Sequence, residues 1–410
     1  MKILYIHQYF STPSGATGTR SYEFARRLCE AGHDVTMLCG SSQLSKTTLR
    51  TNFHKGMRSG EVDGINVIEL ELAYSNHDGF IKRAFKFLTF SLKTIKYTQK
   101  IDYDILFATS TPLTVAIPGI VMKMFRLKKR KIFILEVRDL WPELPKAMGV
   151  INNKLVLRLL GRLEKMAYKS ADYGVALSPG IAKGMKRFGS LNDSTVTLIP
   201  NGCDNKLFNT STGPTSNEEL NAALTRYKTA IFTGAHGLAN GLEAILHAAQ
   251  EVQVLGRDDI KFIFVGDGKM KPKIIQEAQR LNLNNCLFFE PLPKTEISYV
   301  MQQATLGLMT LKNIEAFYYG TSPNKFFDYI AAGLPVVNNY PGWLADLIQD
   351  YECGITCPPD DASAFAHAII ELIDDNNHQH RASQALILAR EFDRDKLASN
   401  FVELCEKVNA

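Results

Sequence analysis

Short β-branched apolar runs alternate with longer stretches in which apolar side chains recur every third or fourth position, and this alternation continues along most of the chain. In the first half the short runs predict strands at 3–7, 34–39, 66–70, 105–108, 132–136, 174–177 and 196–199. The longer stretches predict helices near 21–31, 79–99, 114–126, 154–170 and 180–188. An order of this kind builds a mostly parallel, doubly wound sheet. Pro200-Asn201-Gly202 is a turn signal, and 209–221, rich in Thr, Ser, Gly and Pro, reads as a surface linker. The alternation then restarts, with strands at 230–233, 261–265 and 286–289, helices at 241–255 and 270–281, and further units to about residue 375. The expected domains are 1–205 and 226–378, followed by a C-terminal helical segment, 379–410, free to return to the first domain. Two such sheets facing each other put their strand carboxyl ends across a cleft, where open α/β sheets bind ligands.

Composition agrees with two cores: 410 residues at 45% hydrophobic are too many for one ordinary domain. Met1-Lys2 leads directly into Ile3-Leu4-Tyr5-Ile6, without the pattern of a signal peptide. The longest uncharged apolar stretch, 113–122, falls far short of the roughly 20 residues that cross a bilayer. Seven scattered cysteines without a C-x-x-C pair fit a reducing compartment, so a cytoplasmic protein is expected. The net charge of +5 hides an asymmetry. Residues 1–200 carry 30 Lys and Arg against 16 Asp and Glu, a surplus of 14, whereas the remainder carries 17 against 26. The first half is thus expected to face an anionic partner. Against nucleic acid, no aromatic-studded basic groove or reading motif is visible.

Three segments are candidates for chemistry. After the first strand, a loop of small residues containing Gly15, Thr17 and Gly18 feeds the helix that starts near Ser21, an arrangement that lets backbone N–H groups approach an anion. The G-x-G-x-x-G fingerprint of dinucleotide enzymes is absent there. The second domain opens in the same way, with Gly234, His236, Gly237, Asn240 and Gly241 between strand and helix. His236 is there either a phosphate donor or a neutral loop residue. The third segment runs from Thr321 to Val337. Ser322 reads as a helix cap, Pro323 as the first helical residue and Gly333 as the stop. Lys325 then falls in the first turn, where it opposes the helix dipole unless an anion sits at that end. Asp328 follows one turn later, placed either to pair with Lys325 or to share a ligand with it. Arg138 and Asp139, ahead of Trp141-Pro142-Glu143, follow a strand end and either fix that turn or contact a substrate. Asp102-Tyr103-Asp104 has the form of a D-x-D metal motif but precedes a buried strand and reads as a turn. Finally, 79–100 interleaves Phe80, Ile81, Phe85, Phe87, Leu88, Phe90 and Leu92 with six basic residues, and Lys128-Lys129-Arg130-Lys131 follows. Such a helix can lie on an anionic membrane surface.

The segment from Thr321 to Val337 resembles the nucleotide-sugar signature of retaining family 4 glycosyltransferases. The resemblance extends to the first loop with Arg20, to Arg138-Asp139-Leu140-Trp141-Pro142-Glu143, to the strand end at Ser178, to Ile199-Pro200-Asn201-Gly202-Cys203-Asp204 and to Phe264-Val265-Gly266-Asp267-Gly268. It is nearest to the bacterial branch that builds O-antigen and capsule polysaccharides, which includes N-acetyl-L-fucosamine transferases.

The resemblance implies the GT-B fold, two Rossmann-like domains, and a retaining, metal-independent hexosyltransferase without a cofactor. It implies a UDP-sugar donor and a polyprenyl-diphosphate-linked acceptor, met by a peripheral protein at the inner face of the cytoplasmic membrane. Donor contacts are expected from Gly15, Thr17, Gly18, Gly237, Asn240, Gly266, Asp267, Ser322, Pro323, Asn324 and Asp328, the last toward the ribose. Asp328 stands where Glu is usual, and Gly320 stands where the family carries a first acid. The loop after the second domain's first strand lacks the family's Arg and Lys. Catalytic duties therefore fall to Lys325, His236, Arg138 and Asp139. A UDP-sugar 2-epimerase of the same fold and a non-catalytic nucleotide-sugar-binding protein remain open.

Overall fold

The computed structural model describes the chain outside residues 16–17, 43–45, 75–79, 126–130 and 211–212, and the backbone alone at 73–74 and 80–81. Thr17, the side chains of Phe80 and Ile81, and Lys128-Lys129-Arg130 therefore lie outside the described residues. The chain divides into two compact units. The first comprises Met1–Pro200, Gly320–Ser322 and Asp395–Ala410; the second comprises Asn201–Tyr319 and Pro323–Arg394.

The strands of the first unit are β1 (Lys2–Ile6), β2 (Asp34–Ser42), β3 (Met57–Val62), β4 (Ile65–Tyr74), β5 (Ile105–Thr109), β6 (Ile132–Val137), β7 (Tyr173–Ala176) and β8 (Val196–Leu198). Its helices are α1 (Arg20–Glu30), α2 (Phe80–Lys100), α3 (Ile117–Met124), α4 (Glu143–Ala147), α5 (Lys154–Ser170) and α6 (Pro179–Lys186). The sheet runs β3-β4-β2-β1-β5-β6-β7-β8, parallel except for the antiparallel pair β3–β4. Successive side chains of β1 go to opposite faces, as a strand buried on both sides requires. Leu4 and Ile6 join Phe90 of α2, Ile120 of α3, Tyr168 of α5 and Ile181 of α6. Ile3 and Tyr5 join Phe24 of α1 on the other face, together with Leu397 and Phe401 from the end of the chain.

The second unit contains α7 (Asn205–Phe208), α8 (Glu218–Arg226), β9 (Lys228–Thr233), α9 (Glu243–Val254), β10 (Ile260–Val265), α10 (Lys271–Arg280), β11 (Cys286–Phe289), α11 (Lys294–Gln303) and β12 (Leu306–Met309). It continues with α12 (Glu315–Tyr318), α13 (Asn324–Ala331), β13 (Val336–Asn338), α14 (Trp343–Asp350), β14 (Gly354–Thr356), α15 (Ala362–Asp374) and α16 (His378–Glu391). Its sheet, β11-β10-β9-β12-β13-β14, is parallel throughout. One face packs Phe232 and Leu308 against Ile245 of α9, Ile274 of α10 and Phe365 of α15. On the other lies α13, so close that a Cβ on Gly307 would come within 2.6 Å of the Tyr329 ring. The Tyr329 hydroxyl reaches between β9 and β12, donating to the carbonyl of Ile231 at 3.2 Å and accepting from Thr233 N–H at 3.1 Å.

Several sequence expectations are corrected. The C-terminal segment, 379–410, is not one helix: α16 ends at Glu391, and α17 (Arg394–Asn409) follows. Phe392 turns inward between them to pack on Phe327 and Trp343, while the residues of α17 from Asp395 onward belong to the first unit. The linker read at 209–221 is shorter, because the Asn217 side chain accepts from Leu220 N–H and starts α8. Among the described residues no helix is long and apolar enough to cross a membrane.

Candidate active site

The carboxyl edge of the second sheet brings two loops and helix α13 together at one cation. The loop after β9 folds back on itself through Asn240, whose side-chain N–H donates to the carbonyl of Ala235 at 2.7 Å. Its backbone carbonyl accepts from the Thr310 hydroxyl at 2.8 Å, tying the loop to the end of β12. From α13, Lys325 Nζ donates to Asn240 Oδ1 at 2.5 Å and lies 4.0 Å from the centroid of Phe232. The partners of this ammonium are thus a neutral amide and an aromatic face. Burial without a neutralising carboxylate pulls its pKa down to about 7.

Asp328 is one turn further along α13 and half-buried, and its carboxylate pairs with Lys294 of α11 at 3.4 Å. Lys325 and Asp328 therefore have separate partners instead of forming an ion pair with each other. Lys294 was not legible as a site residue. The cap expected at Ser322 is displaced: α13 begins at Asn324, and Pro323 precedes it in extended conformation with no side-chain cap. Proline fixes φ but leaves ψ free to stay extended. Ser322 and Pro323 are half-buried and Asn324 is exposed. Gly333 does end the helix, at φ +67, with its N–H bonded to the carbonyl of Ile330.

His236 is placed differently from a phosphate donor. Its ring is fully buried, with Phe232 and Phe264 at 5.8 and 6.3 Å, and neither ring nitrogen makes a hydrogen bond. Burial, with the charges of Lys271 and Lys325 nearby, lowers its pKa to about 4, so the imidazole is neutral at neutral pH. Its backbone is occupied too: the N–H donates to the carbonyl of Asp267 and the carbonyl accepts from Met270 N–H, both at 2.9 Å. Of the two residues expected to carry charge at this edge, His236 is thus neutral and buried.

The same contacts explain the glycines. A Cβ on Gly266, which has φ +150, would lie 1.9 Å from the carbonyl oxygen of Gly234, and one on Gly268 would lie 2.6 Å from that of His236. These two glycines let the loops after β9 and β10 lie backbone against backbone. Gly237 is half-buried in the first loop, and the Asp267 side chain is exposed in the second. Gly266→Ala is expected to destabilise the second unit by about 2 kcal/mol through this clash and the positive φ, read as a lower midpoint of urea unfolding.

In the first unit, the centre of the corresponding edge is Glu136, which sequence reasoning treated as the last residue of a strand. Its carboxylate is fully buried at the end of β6. Arg20 donates to Oε2 from Nε at 3.0 Å and from Nη2 at 2.9 Å. Thr109 donates to Oε1 at 2.5 Å and Arg138 Nε at 3.2 Å. Arg20 also donates to the carbonyls of Ile199 and Pro200. Burial pushes the Glu136 pKa up, but the charges of Arg20 and Arg138 and these hydrogen bonds outweigh it, and the net shift is downward. Arg138 is therefore anchored on Glu136, with Nη2 on the Ser21 hydroxyl at 3.2 Å. Asp139 accepts from the Thr111 hydroxyl at 3.0 Å, and burial raises its pKa. A charged residue completing the apolar run Ile132-Phe133-Ile134-Leu135 was the available signal for Glu136. Gly15 N–H bonds to the carbonyl of Thr12, and Gly18 is exposed. Asp102 pairs with Lys2 and Lys131, and Asp104 accepts from Lys2 N–H, as a turn does.

Comparison with known proteins accounts for both units. Residues 17–207 match the family described as Glycosyltransferase Family 4, and residues 216–387 match Glycosyl transferases group 1. The chain has the GT-B fold, and each of its units matches a glycosyltransferase domain. A probable glycosyltransferase of Pseudomonas aeruginosa, WbjE, is 26% identical over 269 residues, which span 63% of this chain and 64% of that protein. The O-antigen chain mannosyltransferase C of Escherichia coli is 24% identical over 320 residues, 76% of this chain and 78% of the relative. Among solved structures, sucrose-phosphate synthase of Thermosynechococcus elongatus superposes with a TM-score of 0.73 at 18% identity, covering 99% and 98% of the two chains. HepE of Anabaena, in complex with UDP-glucose, gives 0.69 at 18% identity, covering 99% and 100%. Within this GT-B chain, the motifs of the second unit meet at Lys325 and Asn240.

Proposed function

We propose that this chain transfers a hexose-type sugar, with retention, from a UDP-sugar to a saccharide carried on polyprenyl diphosphate at the cytoplasmic membrane surface, in O-antigen or capsule synthesis. The observation that carries the reading is the desolvated Lys325 ammonium beside Asn240, on the same short helix as Asp328. Lys325 reaches from α13 into the very loop that lacks its own Arg and Lys. A diphosphate is the ligand that such a cation, at the first turn of a helix, would compensate best. The UDP-glucose held by the HepE structure supports the donor class, and the relatives' names support sugar transfer in O-antigen synthesis.

In the proposed reaction the bond from the sugar's anomeric carbon to the diphosphate breaks, and the acceptor oxygen bonds to that carbon on the same face. The acceptor's proton passes to the departing diphosphate, whose growing charge Lys325 stabilises. Asp328 accepts from the ribose hydroxyls once Lys294 gives way, and Arg138 and Asp139 serve the acceptor side. Asp328→Ala is expected to raise the donor KM about tenfold with little change in kcat, the signature of lost uniform binding, measured by initial rates against donor concentration.

A panel of UDP-sugars, with UDP-N-acetyl-L-fucosamine included, tested against short lipid-diphosphate saccharides decides the reading. A new glycosidic linkage of retained configuration is expected with one pair. Conversion of a donor in the absence of any acceptor would instead assign the chain to 2-epimerisation, and binding without turnover to a non-catalytic role.

A further inference from the structure

Helix α2 is inverted for one that only covers a sheet. Its inward side carries Phe87 and Phe90, but also Ser91, Thr94 and Thr98, all buried. These hydroxyls are satisfied inside the helix, donating to the carbonyls of Phe87, Ser91 and Ile95 at 3.0, 2.7 and 2.8 Å. Facing away from the sheet, Phe85 is 71% exposed, Leu88 44% and Leu92 54%. Their spacing places them on one stripe. A helix with large apolar side chains outside and hydroxyls inside fits an apolar medium on its outer side.

Helix α5 also presents apolar side chains outward, with Leu155 62% and Leu159 54% exposed beside Arg158 and Arg162. Between them α3, which packs against both, ends at exposed Met124 and Phe125. Half of the large hydrophobic residues left exposed among the described residues lie on or at the end of these three neighbouring helices. That concentration is not the single scatter of an ordinary surface. The charge of the layer has one sign. Neither α2 nor α3 contains an acidic residue, and the one acid of α5, Glu164, is buried against Arg187. Lys93, Lys96 and Lys165 are exposed on the same helices as the apolar stripes.

We propose that the outer face of α2, α3 and α5 is a bilayer-docking surface. Its apolar stripes enter the boundary between headgroups and acyl chains of an anionic leaflet, and its Lys and Arg stems lie along them with their heads among the phosphates. A second copy seated through the same face would set basic against basic, which charge complementarity disfavours. The surface deepens the lipid-linked-acceptor reading and rests on it for its purpose, but vesicle binding, which decides it, needs no acceptor.

The test is co-sedimentation of the full chain with vesicles of phosphatidylethanolamine and phosphatidylglycerol, against vesicles of phosphatidylcholine alone. Binding to the anionic vesicles, weakened by salt, is expected. Two variants separate the helices: Phe85→Ser with Leu88→Ser and Leu92→Ser, and Leu155→Ser with Leu159→Ser. Each is expected to bind about tenfold more weakly or worse, while unfolding at the parent's temperature and using a water-soluble short-chain acceptor as the parent does. Absence of vesicle binding, or unchanged binding by both variants, overturns the proposal. Loss in the α2 variant alone overturns the three-helix surface, leaving a single anchoring helix. A dimer in sedimentation velocity that both variants dissolve gives the face to a second copy instead. Transfer to a lipid-linked acceptor without vesicle binding sinks the surface and spares the proposed function; vesicle binding without transfer from any donor does the reverse.

Discussion

Replacing Lys325 with alanine is expected to lower kcat for sugar transfer about 10²- to 10³-fold, the loss typical of removing one preorganised group that stabilises developing charge. Thermal stability should stay close to that of the parent. The ammonium is held at a pKa of about 7 because burial disfavours its charge, so its removal relieves a cost while leaving only Asn240 Oδ1 without its donor. Activity lost with stability kept is the pattern of a residue retained for function. The pH profile supplies the second readout. The charged form of Lys325 is the low-pH form, so donor kcat/KM, which reports the free enzyme, is expected to fall as pH rises through about 7. A bound diphosphate favours the charged form, so kcat should hold to higher pH. Normal turnover by Lys325→Ala, or an unchanged alkaline limb in that variant, would return Lys325 to a structural role.

Lys325 was legible because its neighbours are local: proline before the helix, glycine after it, and an acid one turn on. What it touches was not, because Asn240 stands 85 positions earlier and no periodic pattern joins two loops. His236 shows the same limit from the other side. A histidine in a glycine loop reads equally as a phosphate donor or a neutral loop residue, and what decides is that the glycines of the following loop close over it. In the fold, strand positions were readable where both faces are buried, as in β1 and β5, although the equally buried β12 was covered only by the general expectation of further units. Strand β3 was missed because it buries only its last residue and shows no alternation. The helix expected over 114–126 opens instead with a tight turn over Leu113–Ala116, and Pro118 sits at the start of α3. The break before α17 had no compositional mark, since it depends on Phe392 finding Phe327 and Trp343.

Glu136→Ala is expected to be the most destabilising of these substitutions, by about 3–5 kcal/mol. The carboxylate itself is not the source of that figure; a buried ion pair is worth little against a well-packed apolar substitute. The cost comes from what remains. Arg20, whose side chain is almost wholly buried, would keep the carbonyls of Ile199 and Pro200 and the face of Phe24, and the Arg138 side chain would keep hydroxyl partners. Two guanidinium groups would then share one edge with no carboxylate between them, Asp139 near Arg138 being the acid that remains. Glu136→Gln should cost less, because its amide oxygen can still accept from Arg20 while its N–H donates to the Thr109 hydroxyl. The pH dependence has a definite sign. Because the folded pKa of Glu136 is lowered from 4.5, its contribution is fully present above that value and is lost as pH falls through the folded pKa. Unfolding midpoints measured from neutral pH into the acid range should therefore converge for the parent and Glu136→Gln. A constant gap between them down to the lowest pH would mean that shape at the end of β6, and not the charge of Glu136, holds Arg20 and Arg138 in place.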